Sequence, residues 1–177
     1  MFMNKIEKLP IKAIIGLGNP GKQFENTRHN AGFLVLDALA DKYGANWQVR
    51  DNKEVAEVVI GGKKVILIKP QTFMNSSGKV VPSLLKQGIK AENILVVHDE
   101  LEKAPGVVDV KVAGSHRGHN GLRSIIEQCG ANFVRVRIGI GRPVHKEDVG
   151  EYVLSNFSYD VSEFVDSAID VIETLLD

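Results

Sequence analysis

The chain has 177 residues, 44% of them hydrophobic and 25% charged, with 17 glycines and 6 prolines; this length closes one core without disulfides or metals, and this composition excludes fibrous, disordered and membrane-embedded classes. Its 22 basic residues balance 22 acidic ones, so no global positive field announces a nucleic-acid partner, although a local basic patch remains compatible with neutrality. A single cysteine, Cys129, cannot form an internal disulfide, and the opening MFMNKIEKLP lacks the apolar core of a signal peptide; both point to the cytoplasm.

Apolar, β-rich runs alternate with helical periodicity and no repeat or long linker intervenes, which predicts a single α/β domain over 1–177, a twisted mixed β-sheet surrounded by helices. Ile11 to Leu17 reads as the first strand, followed by a helix over roughly 31–43 whose Phe33, Leu36, Leu39, Ala40 and Tyr43 share a face and which Gly44 terminates. Glu54 to Ile60 and Lys63 to Ile68 flank Gly61-Gly62 and read as a hairpin, making the sheet mixed. Ser76 and Ser77 are placed to cap a helix through Val80, Val81, Leu84 and Leu85, with Pro82 tolerated near its first turn. Asn93 to Val97 is a buried strand ending at His98-Asp99-Glu100. Val107 to Val112 is a strand, Leu122 to Gln128 a helix and Phe133 to Ile140 a strand. Ser162 is placed to cap a last helix, about 162–177, through Phe164, Ala168, Ile172 and Leu175.

The stretch Gly16-Leu17-Gly18-Asn19-Pro20-Gly21 contains a literal G-x-G-x-x-G, yet it is a poor dinucleotide fingerprint. Such a site needs a helix to follow the glycines directly and an acidic residue at the tip of a second strand. Here Pro20 and the polar segment Lys22 to Asn30 intervene, and Asp37 and Asp41 fall inside the predicted helix. The glycines instead let the backbone turn off the strand and bring Asn19 to the rim of the sheet; a plain turn at Asn19-Pro20-Gly21 accounts for them equally well.

Companions would make Asn19 part of a site. Four segments follow predicted strands and are rich in small residues, amides and acid–base groups: Asn19 to Asn30, Gln71 to Asn75, His98 to Glu100, and Gly114 to Gly121. Strand ends on one rim converge, so these are expected together. If the reaction is hydrolysis of an ester, which is what the family resemblance given below implies, these segments offer no serine nucleophile, since no G-x-S-x-G is present, and no cysteine one, since Cys129 lies in a predicted apolar helix. Water is then the attacker. His29 is the natural base, Asp99 the acceptor of its other N–H, and asparagine amides suit both an oxyanion and a peptide backbone. His116 and His119, with His98 and Asp99 nearby, could be drawn as metal ligands, but three-residue spacing on a glycine-rich loop without a second ligand pair is a weak pattern, and no metal is expected. His119 is read as supporting Asn120, and His116 and His145 as loop residues.

The motifs N-P-G with R-H-N-A-G, then T-F-M-N-x-S-G, H-D-E-L and G-H-N-G-L, in this order between Ile14 and Phe157, resemble the bacterial peptidyl-tRNA hydrolase family. The resemblance implies a monomeric α/β enzyme without cofactor that hydrolyses the ester joining a peptide to the 3′-terminal ribose of tRNA. It implies His29 and Asp99 as the catalytic couple and Asn19, Asn75 and Asn120 as residues that bind substrate and position water or the oxyanion. It also implies Phe73 and Met74 as a wall of the peptide crevice, with Phe24 and His119 beside the substrate. Phe24 stands where the family often has a tyrosine. An RNA-binding module without turnover is the competing function, since relatives of this fold serve in RNA splicing in plant organelles.

In Phe133 to Ile138, alternation sends Arg135 and Arg137 to one face and the aliphatics to the other, and Lys111 alternates likewise between Val110 and Val112. A solvated sheet face explains this pattern, and so does a phosphate site. The resemblance implies that Lys111 and Arg137 clamp a tRNA phosphate. Three departures bear on that: Asp109 replaces a common base, Arg117 fills a position usually small, and the chain stops at Asp177 in an acidic helix where relatives continue into a basic segment.

Overall fold

The most apolar runs of the sequence become neighbours at the centre of one sheet. In the computed structural model, which describes residues 9–176, β1 (Ala13–Gly16) pairs in parallel with β4 (Lys63–Pro70) on one side and β5 (Ile94–Glu100) on the other. β5 pairs in parallel with β7 (Val134–Gly139). The edges are antiparallel: β3 (Lys53–Ile60) flanks β4 and carries β2 (Gln48–Arg50) on its outer side, and β6 (Val108–Val112) flanks β7. The order among the described residues is β2-β3-β4-β1-β5-β7-β6. The predicted mixed sheet is therefore present, and Gly61 (φ 58°) and Gly62 (φ 77°) make the tight β3–β4 turn.

Alternation along the strands divides the core between two faces. Ile14, Leu67, Leu95, Val97, Val136 and Ile138 pack against α1 (Ala31–Lys42) and α5 (Ser162–Leu176). Ala13, Ile15, Ile68, Val96 and Phe133 pack against α2 (Val81–Lys86) and α3 (Asn120–Cys129). Helix α1 approaches the sheet closely because Gly32 has no side chain: a Cβ there would run into the backbone of Leu17 and Val97. That contact fixes the start of α1 against the carboxyl ends of β1 and β5, where α/β sheets place ligands.

Helix boundaries differ from the sequence reading at three caps. Ser77 does not cap α2; its hydroxyl donates back to the Met74 carbonyl (2.7 Å) inside a 3₁₀ stretch, Met74–Val80, that precedes the helix, and Ser76 lies in the same stretch. Ser162 is the first residue of α5, not its cap, and its amide donates to the Asp160 carboxylate (2.9 Å). Helix α3 begins two residues before Leu122 because the His119 imidazole accepts from the amides of Gly121 and Leu122, doing what Ser or Asp usually does. A short helix, α4 (Val149–Val153), is an element that its five residues were too few to announce. The end of the predicted last helix at Asp177, and most of the N-terminal stretch, lie outside the described residues.

One strand end is on the wrong rim. Because β6 runs antiparallel to β7, with Val112 opposite Val134 and Val108 opposite Ile138, the segment after β6 leaves from the rim remote from the ends of β1 and β5. Ala113 to His119 must therefore walk back across the sheet, roughly 16 Å for a five-residue strand. Arg135 makes that return possible: its guanidinium donates to the carbonyls of Ser115 (2.9 Å), Gly114 and Ala131 (3.1 Å) while lying over the Phe133 ring. Arg135 is 2% exposed, so the expectation of a uniformly solvated basic face is corrected at this residue.

Candidate active site

His29 sits in a 3₁₀ turn, Arg28–Asn30, immediately before α1, and both its neighbours are buried anchors. Asn30 forms a reciprocal pair with Asn19, its carbonyl oxygen accepting from the Asn19 amide (2.9 Å) and its NH₂ donating to the Asn19 carbonyl (3.0 Å). Arg28 reaches the other way, donating to Ser155 Oγ (2.8 Å), Ser158 Oγ (3.3 Å) and the Asn156 carbonyl, with its guanidinium 4.5 Å from the Tyr152 ring centre. The turn is gripped on both sides, so the imidazole between them has little freedom.

Asp99 lies near the end of β5 with its side chain 2% exposed, and each carboxylate oxygen meets one histidine. Oδ2 is 2.9 Å from His29 Nδ1, and Oδ1 is 2.8 Å from His119 Nε2. The tautomers follow from the partners. His119 Nδ1 accepts two backbone amides, so its proton is on Nε2 and goes to Asp99. His29 donates from Nδ1, which leaves its Nε2 lone pair at the wall of the cleft. His98, 1% exposed, donates from Nδ1 to the Asp99 carbonyl (2.8 Å), and its Nε2 is buried without a partner.

Electrostatics agree with these assignments. Burial pushes the Asp99 pKa up, but the two histidines, by charge and hydrogen bond, outweigh it and hold the carboxyl well below the usual range. Burial pushes His29 down, and the Asp99 charge and hydrogen bond overcome it, leaving the imidazole above its ordinary value. Burial, helped by His119, drives His98 down to about 3, so it is neutral at physiological pH. An ionised carboxylate thus stands behind a histidine whose protonated form it favours, the arrangement a general base requires.

His29, Asp99, His119, His116, Arg117 and Asn120 line a cleft of about 310 Å³ that continues along Leu101 and Leu122 to Val149 and Val153 of α4. The asparagines are distributed around it. Asn120 stands at its edge and joins it to a second hollow shared with Asn75. Asn19 faces a separate groove, and its side-chain oxygen accepts from the Met74 amide (2.7 Å), which fixes the Phe73-Met74-Asn75 segment. Met74 is 5% exposed and packs its sulfur toward Gly121, whereas Phe73 is 66% exposed. Phe24, half-buried in the turn after Gly21, is not among the residues lining the cleft. His119 does not support Asn120, as the sequence reading had it; it holds Asp99 and caps α3.

His29, Asp99 and His119 present three ligand-type atoms within 4.8 Å of one another. Their bonding suits a hydrogen-bond relay better than a metal, because His119 Nε2 carries the proton that its capped Nδ1 cannot, and so offers no lone pair.

Behind the cleft, Asp109 and Lys111 of β6 stand opposite Arg137 and Arg135 of β7. Arg137 forms a two-pronged pair with Asp109 (2.8 and 2.7 Å) and lies 3.9 Å from Glu100. Lys103 also reaches Asp109 (2.6 Å). Lys111 and Arg137 do share a hollow, with Ser115, Arg117 and Arg135, as the spacing predicts. Sequence reasoning missed Arg28, Asn30, His98 and the α4 wall. The first two stand in the motif that was read for its histidine alone; nothing in the sequence marks α4.

The family model described as peptidyl-tRNA hydrolase matches residues 13–177. The peptidyl-tRNA hydrolase of Rubrobacter xylanophilus is 46% identical over 92% of this chain and 92% of its own, and that of Geobacter sulfurreducens is 47% identical over 93% and 89%. The crystal structure of peptidyl-tRNA hydrolase from Acinetobacter baumannii superposes with a TM-score of 0.86 at 44% identity, covering 95% of this chain and 87% of that one.

Proposed function

Because the chain belongs to the peptidyl-tRNA hydrolase family, we propose that His29 is its general base, Asp99 the residue that orients that base, and Asn19, Asn75 and Asn120 the amides that hold the substrate. The protein hydrolyses the ester between a peptide and the 3′-terminal ribose of tRNA, returning prematurely released tRNA to use. The observation that carries the assignment is the His29 Nε2 lone pair at the cleft wall, backed by the 2.9 Å contact of Nδ1 with a buried, ionised carboxylate.

On this reading a water bound at His29 Nε2 gives up its proton as its oxygen attacks the ester carbonyl. The oxyanion is met by asparagine NH₂ groups at the junction of Asn75 and Asn120. The imidazolium, stabilised by Asp99, then protonates the departing ribose oxygen, which restores the base. His119, tied to the other Asp99 oxygen, keeps the carboxylate in register. Phe73 and Met74 flank the peptide, Met74 from within the core and Phe73 from the surface. Phe24, in the turn after Gly21 and outside the cleft, meets the substrate beyond it. The basic hollow of Lys111 and Arg137 receives a tRNA phosphate. The enzyme acts as a monomer in the cytoplasm, one chain supplying every group named. Among the described residues no helix is long and apolar enough to cross a membrane.

The test is release of labelled N-acetyl-amino acid from N-acetyl-aminoacyl-tRNA, with sedimentation of the active species. Turnover by a species of about 19.4 kDa is the expected result; binding of the tRNA without release would sink the catalytic assignment.

A further inference from the structure

Not every basic group behind the cleft is available to a ligand. Arg135 is buried and committed to three carbonyls. Arg137 and Lys103 share Asp109, with Glu100 beside Arg137, so this group holds two cations and two carboxylates and is neutral. Asp109 takes Nε and Nη2 of Arg137, so a phosphate is offered only Nη1, which stands 3.9 Å from Glu100; to offer its fork, Arg137 must release a two-pronged partner where both side chains are only about 15% exposed (15% and 16%), and breaking such a pair is costly.

Lys111 and Arg117 differ. Among the described residues neither has a carboxylate within ion-pair reach. Burial first, then the charges of Arg117, Arg137 and Arg135, push the Lys111 ammonium below its ordinary pKa, and the more weakly felt charge of Glu100 does not offset them. Arg117 is exposed and lines both the catalytic cleft and the basic hollow. Its backbone is held at φ 47° in a turn where the Gly118 amide donates to His116 Nδ1 (2.9 Å) and the His119 amide to the His116 carbonyl (2.9 Å). Two residues on, His119 is bonded to Asp99.

We infer that Arg117, together with Lys111, makes the direct contact to a backbone phosphate of the tRNA, while Arg137 is retained by Asp109 and acts only through its field. Arg117 is therefore a positioning residue: a phosphate held there is tied through one turn to the loop that carries His119, which sets the register of the ester at His29. This inference rests on the peptidyl-tRNA reading above.

The experiment compares N-acetyl-aminoacyl-tRNA with the N-acetyl-aminoacyl ester of adenosine, which carries the same bond and no phosphate, for the parent, R117A, R117K and K111A across a range of salt concentrations. For R117A, KM on the tRNA substrate should rise about 3–10-fold more than on the adenosine ester. Its dependence on log salt should be shallower by about 0.7–0.9, the increment of one lost phosphate contact. R117K should recover part of both. A tRNA KM and salt slope in R117A equal to the parent's, with K111A alone moving them, would overturn the inference. So would equal losses on both substrates, which would place Arg117 in the chemistry or the fold; R117Q and thermal unfolding separate those two. A parent that hydrolyses neither substrate would instead remove the functional reading, and this inference with it.

Discussion

Two clusters of ionisable side chains lie side by side in this molecule and are built on opposite plans. Around Asp99, every polar contact is directional and dry: two histidines are each fixed in one tautomer, and a third donates to the backbone of the aspartate itself. Around Asp109, long side chains converge on a carboxylate that is 16% exposed, and charges cancel more than they orient. Burial makes the first cluster strongly dependent on each partner, because an unpaired group there has no water to fall back on. Sharing makes the second one more tolerant, since Arg137 keeps Glu100 nearby if Asp109 is lost.

The sharpest way to break this contrast is His29→Ala. If His29 alone takes the proton of water, kcat should fall by about 10²–10⁴-fold with KM near the parent value, measured by single-turnover hydrolysis of N-acetyl-aminoacyl-tRNA. Near-parental turnover in a folded variant would mean the base is misassigned. Asp99→Asn should cost less, and it carries a signature that a purely structural residue would not give. His29 is raised above its ordinary pKa by Asp99, against burial. Activity needs the deprotonated imidazole, so removing the carboxylate should lower that pKa and shift the rising limb of the kcat/KM profile to lower pH. A limb that stays in place would argue that Asp99 does not act through His29.

His119 serves the directional cluster and a helix end at once, and the two duties separate by substitution. Asparagine is a good N-cap but too short for Asp99, so His119→Asn should lower kcat and lose the stability that the Asp99 contact supplies while keeping that of the cap. His119→Ala should lose both, with an added stability loss of about 1 kcal/mol. The smallest effect belongs to the tolerant cluster. Asp109→Asn releases Arg137 and Lys103, so KM for the tRNA substrate should drop, by about twofold to fivefold, as expected for a partly exposed ion pair, and its salt dependence should steepen. A rise in KM would show that Asp109 orders the groove more than it neutralises it.

What the sequence made legible follows the same division. The central strands could be read because burial on both faces makes them continuous apolar runs, the face of α1 because burial on one side imposes a period, and Gly61-Gly62 announced its hairpin. The family motifs placed His29 and Asp99, which the fold does bring within hydrogen-bonding distance. Besides Arg28, Asn30, His98 and α4, three things escaped. Alternation told that Arg135 and Arg137 share a face but could not tell that one is locked under a loop and the other under a carboxylate. The cap of α3 was hidden because histidine is an uncommon acceptor there. The return of Ala113 to His119 across the sheet depends on β6 being antiparallel, a pairing that no local pattern encodes.

The grip on Arg28 also orders events in time. Its side chain and the neighbouring backbone are fastened by Ser155, Asn156 and Ser158, with Thr27 bridged to Asn156 and the Phe157 amide donating to Asn26. The partners lie 127 to 130 residues downstream of the arginine, so on a ribosome that delivers the chain from its N-terminus the turn bearing His29 emerges long before these partners can fasten it. While it is being made, this protein is itself a peptide esterified to tRNA. Late fastening means that the machinery for cutting such esters is completed only after the chain has been delivered as far as Ser158.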